Sequence, residues 1–88
     1  MHPKPTPPDG IELNELSAAV FDALSEYTVF PWPVLKTQAS RLDLDPSALR
    51  MQDLEPLIER LASGVERFTS PEAGAAVERQ LRTLLRRR

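Results

Sequence analysis

The stretch that decides the fold is residues 53–68, DLEPLIERLASGVERF, which carries the longest clean helical pattern in the chain. Its apolar residues recur at steps of three and four, the spacing of one face of an α-helix. These residues are Leu54, Leu57, Ile58, Leu61, Val65 and Phe68. The opposite face carries Glu55, Glu59, Arg60, Glu66 and Arg67. The pattern predicts the central helix of a small all-helical domain.

Two features of this stretch concern how the helix begins and how it packs. Asp53 is suited to cap its start, and Pro56 would lie in the first turn, where its missing N–H costs little. Gly64, which follows Ser63, costs about 1 kcal/mol relative to alanine in a helix interior. Either a neighbouring helix approaches closely at Gly64 or the helix bends there.

A first helix is predicted at residues 11–27, with Asn14 or Asp9 as its N-cap. Acidic side chains early in this helix suit the positive end of its dipole. Its apolar face consists of Leu13, Leu16, Val20, Phe21, Ala23, Leu24 and Tyr27.

A shorter second helix is predicted at residues 32–42, with Pro33 preorganising its first turn. Its inner face consists of Trp32, Leu35, Ala39 and Leu42. Asp45 followed by Pro46 is a good start for another helix, and we expect a single helical turn at residues 47–51.

The clearest boundary in the chain is Ser70-Pro71-Glu72, with Ser70 as N-cap and Glu72 in the first turn. The last helix is predicted at residues 71–86. Its small residues come early, so its start should pack most tightly. The fold class is therefore all-α: a small orthogonal or antiparallel bundle of four main helices plus a short one-turn helix.

Residues 28–33, TVFPWP, predict a break between the first two helices, because residues before proline avoid the helical conformation. Val29, Phe30 and Trp32 are unusually apolar for a surface loop. We favour a plug over one end of the bundle. The alternative is an exposed aromatic site for a partner protein.

Length and composition limit the possible functions. The chain has 88 residues, enough for one small domain at residues 11–88. Residues 1–10 hold four prolines and no apolar anchor, so we expect a disordered arm, with a proline-rich ligand as the alternative. No apolar run approaches the roughly 20 residues that span a bilayer. Without cysteine or a signal-peptide pattern, the chain is expected to be cytoplasmic and without a membrane partner.

Residues suited to catalysis or metal binding are few. The only histidine, His2, lies in the arm, so we expect no triad with a positioned base. Zinc sites need several Cys or His ligands, and a glycine-rich phosphate loop is missing. Asp43, Asp45 and Ser47 match the start of a calcium loop, but the positions of its required glycine and glutamate hold alanine and leucine. We expect no enzyme activity, no metal and no cofactor.

Residues 35–54, LKTQASRLDLDPSALRMQDL, resemble the helix-turn-helix of DNA-binding regulators. Asp43 replaces the usual turn glycine, and Gln38 and Gln52 stand where apolar residues are expected. The buried positions of that motif correspond to Ala39, Leu42, Leu44 and Leu49.

The resemblance implies DNA binding, but the charge of the expected recognition helix has the wrong sign. Its recognition helix would carry Asp45, Asp53 and Glu55, and only Arg50 opposes them. Because DNA affinity depends largely on neutralising phosphates, we do not expect nucleic acid as the partner.

Charge is divided along the chain. Residues 1–59 hold four basic and ten acidic residues, whereas residues 60–88 hold seven arginines and three glutamates. Such asymmetry is typical of a contact between subunits or of a basic end that meets an acidic partner. Arginines at the end of a helix also suit its dipole.

The function expected from the sequence is a non-enzymatic protein-interaction module, with another protein or a second copy of the chain as partner. A helix-turn-helix regulator is the alternative. The large aromatic residues at the corner and the arginines of the last helix are the candidate contacts. The candidate partner-binding residues are Phe30, Trp32, Arg79, Arg82 and Arg86.

Overall fold

The computed structural model describes residue 8 and residues 10–86. Within them the chain forms four helices and no strand, which confirms the all-α class and its four main helices. The arm expected at residues 1–10 falls mostly outside the described residues, as do Arg87 and Arg88. The helices are α1 (Glu15–Ser25), α2 (Pro31–Arg41), α3 (Met51–Phe68) and α4 (Pro71–Arg86).

The four helices enclose one apolar core. α3 packs against α2 and α4, and α1 packs against the same two helices. The radius of gyration is 11.8 Å, close to the roughly 12 Å expected for a compact chain of this length. The largest fully buried apolar side chains are Val20, Leu24, Leu35, Leu49, Leu54, Leu57, Ile58, Leu61, Val65, Val77 and Leu81.

α1 begins after Asn14, later than the predicted residue 11, because Asn14 caps it by accepting a hydrogen bond from the N–H of Ser17 (2.8 Å). The Nδ2 of Asn14 donates to the carbonyl oxygen of Leu49 (2.9 Å), and its backbone N–H donates to the carbonyl oxygen of Ser47 (2.9 Å). The buried Ser17 hydroxyl accepts from the N–H of Leu49 (3.0 Å). The last three bonds fasten residues 47–49 to the start of α1.

The one-turn helix expected at residues 47–51 is not formed, and a turn takes its place. Asp45 accepts hydrogen bonds from the hydroxyl (2.7 Å) and the N–H (2.9 Å) of Ser47, and both hold the pKa of Asp45 below its ordinary value. The N–H of Ala48 donates to the carbonyl oxygen of Asp45 (3.1 Å). Because the N–H and carbonyl of Leu49 are bonded to α1, they cannot extend this turn into a helix.

α3 begins at Met51 rather than at Asp53, so the predicted capping role of Asp53 is altered. As the third residue of the helix, Asp53 accepts a hydrogen bond from the N–H of Arg50 (3.1 Å) and stabilises the N-terminus from inside the first turn. Pro56 consequently lies beyond the first turn and leaves the carbonyl of Gln52 without its helical donor. Both residues are exposed, so water can bond this carbonyl.

α2 ends in a Schellman motif. The N–H of Leu44 donates to the carbonyl oxygen of Ala39 (2.9 Å), and the N–H of Asp43 donates to that of Ser40 (3.2 Å). Asp43 has a φ of 58°, the left-handed conformation that glycine adopts most easily. An aspartate therefore occupies a position whose backbone favours glycine.

α4 keeps its predicted bounds, and Ser70 caps it by accepting a hydrogen bond from the N–H of Ala73 (3.2 Å). The start of α4 approaches α3 closely. A methyl group placed on Gly74 would lie 2.9 Å from the carbonyl oxygen of Ala62 and 3.0 Å from Cβ of Glu66. The tight packing predicted for this end of the helix is therefore present, and any larger residue would require a shift.

Candidate protein-binding groove

The corner between α1 and α2 exposes two large apolar side chains. Val29 is 73% exposed and Phe30 is 57% exposed. Thr28 is buried, and its hydroxyl accepts a hydrogen bond from the backbone N–H of Phe30 (3.1 Å). Pro31, also buried, begins α2 directly afterwards. The backbone is therefore held on both sides of Phe30, and the side chain of Phe30 lies at the surface.

The plug predicted for this corner is therefore wrong for Val29 and Phe30. Both residues precede α2, which begins at Pro31, and no helix covers them. Trp32 behaves differently, since it is half-buried and packs against the core. The indole thus contributes to the fold and keeps part of its surface open.

Phe68 also departs from its prediction. It was expected on the buried face of α3, yet it is 69% exposed. Phe68 is the last residue of the helix, and Thr69 ends it by donating its N–H (2.9 Å) and its hydroxyl (2.6 Å) to the carbonyl oxygen of Val65. Val65 is fully buried. The apolar face of α3 therefore extends about one turn further than its neighbours cover.

Phe30 and Phe68 line one groove between α2 and α3, here called the aromatic groove, of about 340 Å³. Its floor includes the buried residues Val34 and Gly64. A methyl group on Gly64 would lie 3.2 Å from Cγ1 of Val34, so of the two alternatives for this glycine the structure favours the close approach of a neighbouring helix. The residues that line the groove are Phe30, Pro33, Val34, Thr37, Gln38, Arg41, Gly64, Arg67 and Phe68.

A second, more open cavity of about 610 Å³ lies on the outer side of α2. It shares Pro33, Thr37 and Arg41 with the aromatic groove, so the two form one surface across α2. The half-buried Trp32 lines this outer α2 cavity together with Lys36. Both aromatic residues proposed from the corner therefore reach the same surface.

The charge of this surface is positive. Arg41 and Arg67 line the aromatic groove, Lys36 lines the outer α2 cavity, and neither lining includes a carboxylate. In the described part of the chain, none of these three side chains forms an ion pair. The surface thus combines apolar area with cations that have no acidic partner, although the whole chain has a net charge of −2.

The arginines proposed from the last helix lie elsewhere. Arg79 and Arg86 are exposed on α4, and Nε of Arg82 pairs with Oε2 of Glu78 (3.2 Å). Neither of the cavities that Phe30 and Trp32 line includes a residue of α4. The five candidate residues therefore belong to two separate surfaces.

Among the groove residues that sequence reasoning missed are its second aromatic residue, Phe68, and its two cations, Arg41 and Arg67. Phe68 was assigned to the apolar face of its helix, and Arg67 to the opposite face. One signal was available, because Phe68 is the final apolar residue of its pattern and directly precedes a helix end. The proximity of Phe68 to the corner depends on tertiary packing and has no local signature.

The chain matches no protein-family model, no curated protein and no solved structure in the comparisons made with them. In the described part of the chain, no helix is long and apolar enough to cross a membrane. Residue 8 and residues 10–86 also contain no group of three or more Asp, Glu or His side chains arranged to hold a metal ion. Function is therefore inferred from the geometry and chemistry of the groove.

Proposed function

We propose that this chain is a non-enzymatic protein-interaction module that binds a segment of a partner protein in the aromatic groove. The observation that carries the proposal is the pair Phe30 and Phe68, exposed at 57% and 69% beside a groove with a buried floor. Large aromatic side chains at concave sites dominate binding energy in many interfaces. Covering such area gains about 25 cal/mol per Å² of apolar surface.

The chemistry of the groove supports binding rather than catalysis. Its polar groups are the hydroxyl of Thr37, the amide of Gln38 and two guanidinium groups. None of these groups accepts a proton readily at neutral pH, so a general base is missing from the lining. The apolar residues around them favour a ligand with apolar side chains.

The helix-turn-helix alternative has one observation in its favour. Asp43 adopts the left-handed conformation expected of the glycine that it replaces in that motif. The connection between α2 and α3, however, spans residues 42–50, whereas the turn of the motif has about 3–4 residues. The acidic side chains of this segment also oppose phosphate binding. We therefore rank DNA binding below protein binding.

The proposal is tested by selecting binders from a displayed library of random 16-residue peptides on the wild-type protein. We expect the selected peptides to bind Phe30→Ala and Phe68→Ala on the order of tenfold more weakly than wild type, as for moderate aromatic hot spots. Val29→Ala is the matched control, because Val29 is 73% exposed beside Phe30 but does not line the groove.

Each variant must first show the wild-type circular dichroism spectrum and a cooperative melt. Equal losses in Val29→Ala and Phe30→Ala would show that the groove is not the site. Duplex DNA, titrated in parallel near 150 mM salt, should not bind measurably. A shift of duplex DNA at sub-micromolar protein would favour the regulator instead.

A further inference from the structure

We infer that the occupant of the aromatic groove is an amphipathic helix that carries carboxylates beside its apolar anchors. This inference rests on the proposed function, and it adds the conformation and the charge of the partner segment. The conformation follows from the walls of the groove, and the charge follows from its unpaired cations.

The walls of the groove come from two helices and from the residue that precedes α2. Apart from their terminal turns, the backbone groups of α2 and α3 are bonded within those helices, so the groove offers no strand edge to an extended peptide. A buried extended peptide would leave N–H and carbonyl groups without partners, at a cost of about 1–3 kcal/mol each. A helical ligand satisfies its own backbone groups, which is the usual solution for grooves of this type.

The length of the groove suits a short helical contact. Along α2 it extends from Pro33 to Arg41, which is roughly 12 Å at 1.5 Å per residue, or about two helical turns. The apolar anchors of such a ligand would therefore lie at steps of three and four over two turns. Phe30 lies next to the Pro33 end of the α2 wall, and Arg41 lies at its other end.

The charge of the ligand follows from Arg41 and Arg67. Both line the groove, and neither has an ion-pair partner among the described residues. An apolar ligand would partly desolvate these guanidinium groups without compensation, whereas a carboxylate forms charge-assisted hydrogen bonds with them. Lys36 in the outer α2 cavity adds to the preference for a ligand with carboxylates.

A second copy of the chain is a poorer occupant. A two-fold symmetric dimer places the same patch of each subunit face to face. Arg41 and Arg67 of one copy would then approach those of the other, and no carboxylate lines the groove to separate them. Like charges opposed in an interface reduce affinity. Complementary charge therefore favours a different, acidic chain.

The test uses a second displayed library, made of 16-residue amphipathic helices. Leucine and phenylalanine occupy the apolar face at steps of three and four, and the flanking positions vary freely among Glu, Lys and Gln. We expect selection on the wild-type protein to enrich Glu at the flanking positions. The enriched peptides should become helical on binding, as measured by circular dichroism.

Charge reversal provides the matched variants. Arg41→Glu/Arg67→Glu should weaken the Glu-rich peptides on the order of tenfold or more and improve the Lys-rich ones. Arg60→Glu, to be compared with Arg67→Glu alone, makes the same charge reversal at an exposed arginine of α3 outside the groove. This control should leave the affinity within about twofold of wild type, because exposed charges at a distance are screened.

The outcomes separate this inference from the proposed function. Peptides that depend on Phe30 and Phe68 but show no preference for Glu, or that bind without becoming helical, would overturn the inference and leave the proposed function standing. Failure of both libraries to yield peptides dependent on these residues would overturn both. Sedimentation of the protein alone completes the test, because a dimer that Phe68→Ala dissociates would make a second copy the occupant.

Discussion

The two helices that flank α3 contact it in different ways. α4 follows α3 after only residues 69–70, is capped by Ser70 and makes backbone contact with α3 at Gly74. α2 is joined to α3 by residues 42–50 and touches it at Gly64 mainly through side chains. The α4 side is closed, whereas the α2 side opens into the aromatic groove at the C-terminal end of α3.

The difference divides the apolar face of α3 into a covered part and an exposed part. A single apolar face of α3 supplies both the core residue Leu61 and the exposed residue Phe68. The face is continuous in sequence, but the neighbouring helices cover only its first part. The uncovered remainder of the face that folds the domain is the part of α3 that the proposed partner would contact.

The largest expected effect compares the two ends of this face. We expect Leu61→Ala to cost about 2–5 kcal/mol of unfolding free energy, because Leu61 is fully buried. Phe68→Ala should change it by less than about 0.5 kcal/mol, since Phe68 is 69% exposed. Thermal or denaturant melts measure both. Equal losses in the two variants would mean that Phe68 is covered in solution.

An effect of intermediate size is expected from the two glycines at which α3 contacts its neighbours, Gly74 of α4 and Gly64 of α3 itself. Gly74→Ala should destabilise the domain by about 1–3 kcal/mol, because its methyl group meets the backbone oxygen of Ala62 at 2.9 Å. In Gly64→Ala, the added methyl group would lie 3.2 Å from the side chain of Val34. The higher helix propensity of alanine offsets about 1 kcal/mol of the cost of this crowding. Its net effect should be within about 1 kcal/mol of zero.

Denaturant melts at one protein concentration would rank the two variants. If Gly64→Ala proved the more damaging, the contact between α2 and α3 would be tighter than the contact between α3 and α4. The distinction between a closed and an open side of α3 would then fail.

The smallest expected effect concerns the long connection on the open side. We expect Asp43→Gly to stabilise the domain by up to about 1 kcal/mol, because glycine relieves the left-handed backbone at φ 58°. The melting temperature should rise by several degrees at most. Ser40→Gly, within α2 and outside the left-handed conformation, is the control and should cost about 0.5 kcal/mol. A lower melting temperature for Asp43→Gly would show that the carboxylate itself stabilises the turn.

The local parts of the fold were predictable from the sequence. Ser70-Pro71-Glu72 placed the start of α4 correctly, because capping depends on neighbouring residues alone. The buried face of α3, from Leu54 to Val65, was also predictable, because the helical spacing of its apolar residues is a local pattern. Met51 as the start of α3 was missed, since Asp53 stabilises the helix from its third position instead of preceding it.

The parts that depend on contacts between distant residues were not predictable. The absence of a helical turn at residues 47–51 follows from hydrogen bonds between Leu49 and α1, which no local pattern reveals. The groove likewise requires Phe30 and Phe68, from different helix ends, to lie along one surface. Phe30 was proposed as a site residue because its loop is unusually apolar. The role of Phe68 beside it could be recognised only once the packing of α2 on α3 was known.

The bond between the Ser17 hydroxyl and the N–H of Leu49 has a consequence for the order in which the domain opens. Leu49 lies outside every helix, yet its amide is buried and bonded to α1 (3.0 Å). Amides in surface loops normally exchange with solvent through small local fluctuations, whereas core amides exchange only when the whole domain unfolds. The Leu49 amide should therefore exchange hydrogen for deuterium as slowly as the core amides of α3. We therefore expect the amide of this loop residue to report the global unfolding of the domain.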